Sequence, residues 1–263
     1  MTTRRQTLRA IGHLAFGTCW ACCWPSSARA DRVQIACTSN RPSDENLVLV
    51  NTNNIASAQV SSSGSSSLDR AIRAAVTDCY STFALRPAFY FVVDDPVYSM
   101  NAFATQASAR YAGLVGEVGF GIPFLNEALR VDPTGYTAMY VIAHEFGHVA
   151  QFNFMYNNTN SIYEFMSQNQ TTSRLTELHA DFIAGVYIGD RYVRNPSQDL
   201  SILMKTIHGD NNTTSPGHHG TTSERVKAFR AGYQARLQKS DFNAQVLRDL
   251  SFQGAAQIRH MFG

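Results

Sequence analysis

The chain has 263 residues, 44% of them hydrophobic and 16% charged. That supplies a packed core and excludes a disordered, collagen-like or coiled-coil chain. The net charge of +2 is unevenly placed, because residues 1–30 hold Arg4, Arg5, Arg9 and Arg29 and no acid. The remainder is slightly acidic and gives no case for a nucleic-acid-binding surface.

Those thirty residues read as an export signal. A basic start around Arg4-Arg5 leads into a mostly apolar stretch from Ala10 to Trp24, and Ala28-Arg29-Ala30 forms a small-x-small cleavage site. The stretch is too short, and too interrupted by Gly12, His13 and Gly17, to span a membrane. The arginine pair resembles a twin-arginine signal, with Thr7 where Phe is usual. A Sec signal is the alternative. The expected product starts at Asp31, is periplasmic or secreted, and has no integral membrane segment. Three of the five cysteines leave with the signal. Cys37 and Cys79 remain and are expected to form a disulfide in an oxidising compartment. It would close a loop of about 43 residues and stabilise the fold by about 4 kcal/mol.

Along the rest of the chain, Leu47 to Val50 reads as a short strand. Ser61 to Ser67 reads as a loop or linker, so residues 31–67 form an N-terminal segment and 68–263 the main domain. Leu68, Ile72, Ala75, Val76, Cys79, Tyr80 and Phe83 fall at helical spacing, and Pro87 ends that helix. Phe89 to Val93, Asn101 to Thr105 and Tyr111 to Phe120 are expected strands, and Ile122 to Leu129 is expected to be helical. Asp132-Pro133 opens a long helix running to about Phe154, with Asp as N-cap and Pro at the first helical position. A polar loop over Asn157 to Gln170 follows. Further helices are expected at Thr172 to Ile188, Ser197 to His208, Ser223 to Gln238 and Asp241 to Met261. The fold class is α+β, mostly helical, with a small sheet before the long helix.

Chemistry concentrates in that helix, at His144-Glu145-Phe146-Gly147-His148. Two histidines four apart share one helix face and can both reach one zinc ion, while the glutamate between them points to a neighbouring spot, where it can hold a metal-bound water. Met139, Tyr140, Ala143, Phe146 and Ala150 make the helix apolar enough to be buried. Gly147 costs about 1 kcal/mol against Ala in a helix interior, which points to something packed closely against it. A third ligand is expected from Glu177-Leu178-His179-Ala180-Asp181. Glu177 and Asp181 share a face; Glu177 can ligate while Asp181 orients a ligating histidine. His179 lies off that face, and Glu164 is the alternative third ligand.

His144 to His148 followed by Glu177-Leu-His-Ala-Asp181 resembles the gluzincin metallopeptidases. The nearest likenesses are the HtpX and CAAX-prenyl-protease group and the neutral zinc metallopeptidases. Asn101-Ala102-Phe103-Ala104-Thr105 is similar to the stretch these enzymes place before their zinc helix. His219-Gly220-Thr221-Thr222-Ser223-Glu224-Arg225 is similar to a later His-Pro-x-x-x-x-Arg segment, with Gly220 in place of Pro. The multiple membrane spans of the first group have no counterpart here. The resemblance implies a zincin-like domain, a Zn2+ cofactor and a polypeptide substrate laid along a strand edge near Tyr111 to Phe120. It implies Glu145 as general base and, by motif position, His219 as the oxyanion donor. His218 and the tyrosines from Tyr136 to Tyr163 remain open for that last role, and Arg225 is expected to tie the last helices to the site through an acidic partner. The function implied is an exported zinc-dependent endopeptidase. A non-catalytic zinc-stabilised binding protein is the alternative, and Glu145 argues against it, since a structural site needs no base.

Overall fold

The computed structural model describes residues 37–40, 59–93, 101–107, 113–157, 159–170, 172–194, 201–207, 209 and 218–263. The export signal and the strand expected at Leu47 to Val50 lie outside the described residues. Five strands, β1 (Cys37–Asn40), β2 (Gln59–Val60), β3 (Ala88–Val92), β4 (Ala102–Thr105) and β5 (Glu117–Gly121), form one sheet in the order β1-β4-β5-β3-β2. The helices are α1 (Ser66–Phe83), α2 (Ile122–Val131), α3 (Tyr136–Asn153), α4 (Ile162–Ser167), α5 (Arg174–Arg194), α6 (Ser201–Thr206), α7 (Thr222–Leu237) and α8 (Ala244–Phe262). The fold is therefore α+β and mostly helical, as its periodicities predict.

One face of the sheet feeds the core through Phe91, Ala102, Ala104, Val118 and Phe120. Helix α3 packs on β4 and β5, α5 packs on α3, and α7 and α8 pack on α5. Thus α3 lies between the sheet and a helical layer, and it is buried almost all round, from Tyr136 to Gln151. A helix so enclosed has apolar side chains on every side, and its few polar ones must find partners inside the protein.

Three local expectations are revised. The long helix starts at Tyr136 rather than at Pro133, because Gly135 takes a left-handed turn (φ 81°) first. Asp132 still caps it from one turn away, accepting from Thr137 N at 2.8 Å and Thr137 Oγ1 at 2.9 Å. The serine run is a loop over 61–65 that caps α1, whose first residues are Ser66 and Ser67: Ser65 accepts from Leu68 N, and Asp69 accepts from Ser62 Oγ, Ser63 N and Ser63 Oγ. Strand β5 pairs with β3 on one side and β4 on the other. It is an interior strand, so Glu117 to Phe120, the part of the expected substrate edge that forms a strand, offers no free edge.

Of the two cysteines expected to form a bridge, only the side chain of Cys79 falls among the described residues. Cys79 is a free thiol, wholly buried on the apolar face of α1. Burial pushes it up to about 12, against a smaller opposing effect of a hydrogen bond with Tyr187. It packs as a small core residue; the side chain of Cys37 lies outside the described residues. Among the described residues no helix is long and apolar enough to cross a membrane.

Helices α5 and α7 touch backbone to backbone. A Cβ on Gly232 would sit 1.8 Å from the Phe182 carbonyl oxygen, and one on Gly185 would sit 2.1 Å from that of Phe229. Helix propensity alone favours Gly232→Ala by about 1 kcal/mol. The overlap with a carbonyl wins, because backbone must separate, and a net loss of about 3 kcal/mol is expected. Urea unfolding checks this; a midpoint at or above the parent's means the two helices part freely.

Candidate metal centre

Two helices supply the site. His144 and His148 project from one face of α3, and Glu177 and Asp181 from one face of α5. The helices meet closely at Gly147, where a Cβ would lie 3.1 Å from Ala180 Cα and 3.3 Å from its carbonyl oxygen. This is the close packing that a glycine in mid-helix implied. A larger residue there would push α5, and with it Glu177, away from the histidines.

His144, His148 and Glu177 form a buried group that can hold a metal ion, with their ligand atoms all within 4.8 Å of one another. The two Nε2 atoms are 3.1 Å apart. Glu177 places Oε2 3.2 Å from His144 Nε2 and Oε1 3.4 Å from His148 Nε2. Glu145 is fully buried on the same helix, beside His144. Burial opposes charge on Glu177; positive charge on His148 and then on His219 outweighs it, together with hydrogen bonds from His144 and His148. The carboxyl stays well below the usual carboxylate range.

Each ring is held from behind by its other nitrogen. His144 Nδ1 lies 2.9 Å from Asp181 Oδ1. Asp181 also accepts from Arg225 Nε at 2.8 Å, from Arg225 Nη2 at 2.8 Å, and from the Tyr140 hydroxyl. Burial would push the Asp181 carboxyl up; the Arg225 guanidinium and His144 reverse this and hold it below its ordinary value. As a carboxylate it can only accept, so His144 Nδ1 donates to it and Nε2 is the ring atom that faces the centre. Arg225 has the acidic partner expected of it. It is aimed by the start of α7, a capping box between Thr221 and Glu224. Gly220, just before it, has φ +90°. Proline, locked near −65°, has no access to that turn, which accounts for glycine here.

His148 has a different support. Its Nδ1 lies 3.1 Å from Gln151 Oε1. Gln151 Nε2 donates to the Thr176 carbonyl at 2.6 Å and lies 3.1 Å from His179 Nδ1. His179 Nε2 lies 2.9 Å from the Ser251 carbonyl on α8. Burial lowers His179 to about 4, so it is neutral, donating through Nε2 and accepting through Nδ1. Both amide protons of Gln151 are then used, its oxygen is an acceptor, and His148 donates through Nδ1. The two Nε2 atoms and the Glu177 carboxylate oxygens thus converge at 3.1–3.4 Å. Two imidazoles and one carboxylate in this arrangement are a donor set that suits zinc.

The other expected residues also have places. Glu164 belongs to a capping box with Ser161 at the start of α4, away from the ligand role left open for it. His219 is half-buried beside the group, close enough for its charge to act on Glu177. His218 is buried, and its carbonyl accepts from Ser173 Oγ at 3.3 Å. Gln151 and His179 were not foreseen. Gln151 is three residues after His148 and so on its face, a spacing that reveals it; His179 turns towards α8, which no spacing within α5 discloses. No family profile, curated protein or solved structure matches the chain.

Proposed function

We propose that the protein is a zinc-dependent endopeptidase that acts after export. The observation that carries this reading is the buried convergence of His144, His148 and Glu177 with Glu145 on the same helix. Zinc, when bound, would supply Lewis acidity, lowering the pKa of water and polarising the scissile carbonyl. Glu145 takes the proton of the attacking water and passes it to the leaving amine. Asp181 and Gln151 keep the two imidazoles in the tautomer whose Nε2 can ligate. His219, beside Glu177, donates to the oxygen on which charge develops. The gluzincin resemblance supports a peptide as substrate, and the Arg4-Arg5 leader supports export.

A mixture of proteome-derived peptides tests the activity. The mature protein is expected to cut it, to stop when a chelator is added, and to resume on return of zinc. Cleavage unaffected by exhaustive chelation would remove zinc from the reaction; no cleavage by fully zinc-loaded protein would favour the binding-protein alternative.

A further inference from the structure

We propose that Gln151 and His179 are positioning residues that run a hydrogen-bond relay from the Ser251 carbonyl on α8 to His148, so that the C-terminal helix helps to build the metal centre. The inference rests on reading His148 as a ligand, and goes beyond it.

The relay is continuous and one-directional. The Ser251 carbonyl accepts from His179 Nε2, His179 Nδ1 accepts from Gln151 Nε2, and Gln151 Oε1 accepts from His148 Nδ1, at 2.9, 3.1 and 3.1 Å. Gln151 and His179 are 0% exposed and Ser251 1%, so water does not compete for these bonds. Each link needs its own residue type. Only a side-chain amide can accept one ring proton and donate two of its own at that position, and the second donation, to the Thr176 carbonyl at 2.6 Å, anchors it to α5. Only a neutral imidazole can accept from Gln151 and donate across to α8.

The two histidines therefore differ. His144 is backed by a carboxylate that Arg225 neutralises, and His148 by a chain of neutral groups. Bonds of the second kind fix a ring's direction and tautomer without adding charge behind it. The relay also accounts for a polar pair in a position that core packing would fill with apolar side chains. The His179 ring lies parallel to that of Phe182, with centroids 6.4 Å apart.

The test uses the full mature chain, with zinc as the probe. Zinc affinity is measured by chelator competition, and the tautomers of His148 and His179 by nitrogen-15 spectra of the zinc-stripped protein. The parent should show His148 protonated at Nδ1 and His179 at Nε2. Gln151→Leu and His179→Leu should each weaken zinc binding about 10–100-fold and leave His148 in mixed tautomers. His179→Asn, which presents an acceptor where Nδ1 stood, should recover most of that affinity and the single tautomer. A purely structural role would lower thermal stability equally in the Leu and Asn variants and leave the His148 tautomer unmoved. That pattern, or a parent His148 protonated at Nε2, overturns the proposal. A parent with the expected tautomers and no zinc affinity would instead overturn the metal reading while leaving the relay standing.

Discussion

Glu145→Gln is expected to cut peptide turnover by about 10²–10⁴ while zinc content and fold stay as in the parent. The side chain is fully buried, and glutamine has nearly its volume, so packing around α3 is preserved. The three ligand atoms belong to His144, His148 and Glu177 and are untouched. What disappears is the group able to take a proton, so the loss should appear in kcat rather than in KM. Peptide assays on the zinc-loaded variant read the effect directly. Parental turnover would remove Glu145 from the reaction, and loss of zinc would mean that a ligand had been mistaken for a base.

Glu177→Ala should abolish stoichiometric zinc binding, because it removes one of the three residues that form the group. Asp181→Asn provides the contrast. It keeps the volume and an acceptor for His144, so affinity should fall by about 10–100-fold and not vanish. Alanine is the poorer choice at 181: it would strand the buried Arg225 guanidinium, which costs about 3–5 kcal/mol and confounds ligand loss with unfolding. Elemental analysis of the purified variants separates the two cases. Full occupancy in Glu177→Ala would take the third ligand away from α5 altogether, and Glu164, engaged with Ser161, is not positioned to replace it.

Most of this centre was legible because helical periodicity is a short-range code. His144, Gly147 and His148 declare a face, a close contact and a pair of candidate ligands within five residues, and Glu177 with Asp181 repeats the logic two helices later. Helix starts were harder where side chains reach across a turn. Asp132 does cap α3, but from beyond Gly135, so the boundary moved. Helix α4 was passed over inside a polar loop even though Ser161 and Glu164 carry a capping-box spacing, since polar composition masked the start signal. Sheet order is a long-range property: nothing within Glu117 to Gly121 says that β3 and β4 lie on either side of it. The helical spacing of Cys79 with Ile72, Val76 and Phe83 marks it as core, and it packs there.

Because the ligands come from two different helices, α3 and α5, an ion held by all three can bind only when those helices are packed together. Occupancy and folding are then one linked equilibrium. Zinc held there, at a free concentration 1,000 times its dissociation constant, would add about 4.1 kcal/mol to the stability of the native state, and each further tenfold would add about 1.4. A melting curve recorded against zinc concentration would therefore serve as a binding isotherm for the proposed site, and it needs no substrate.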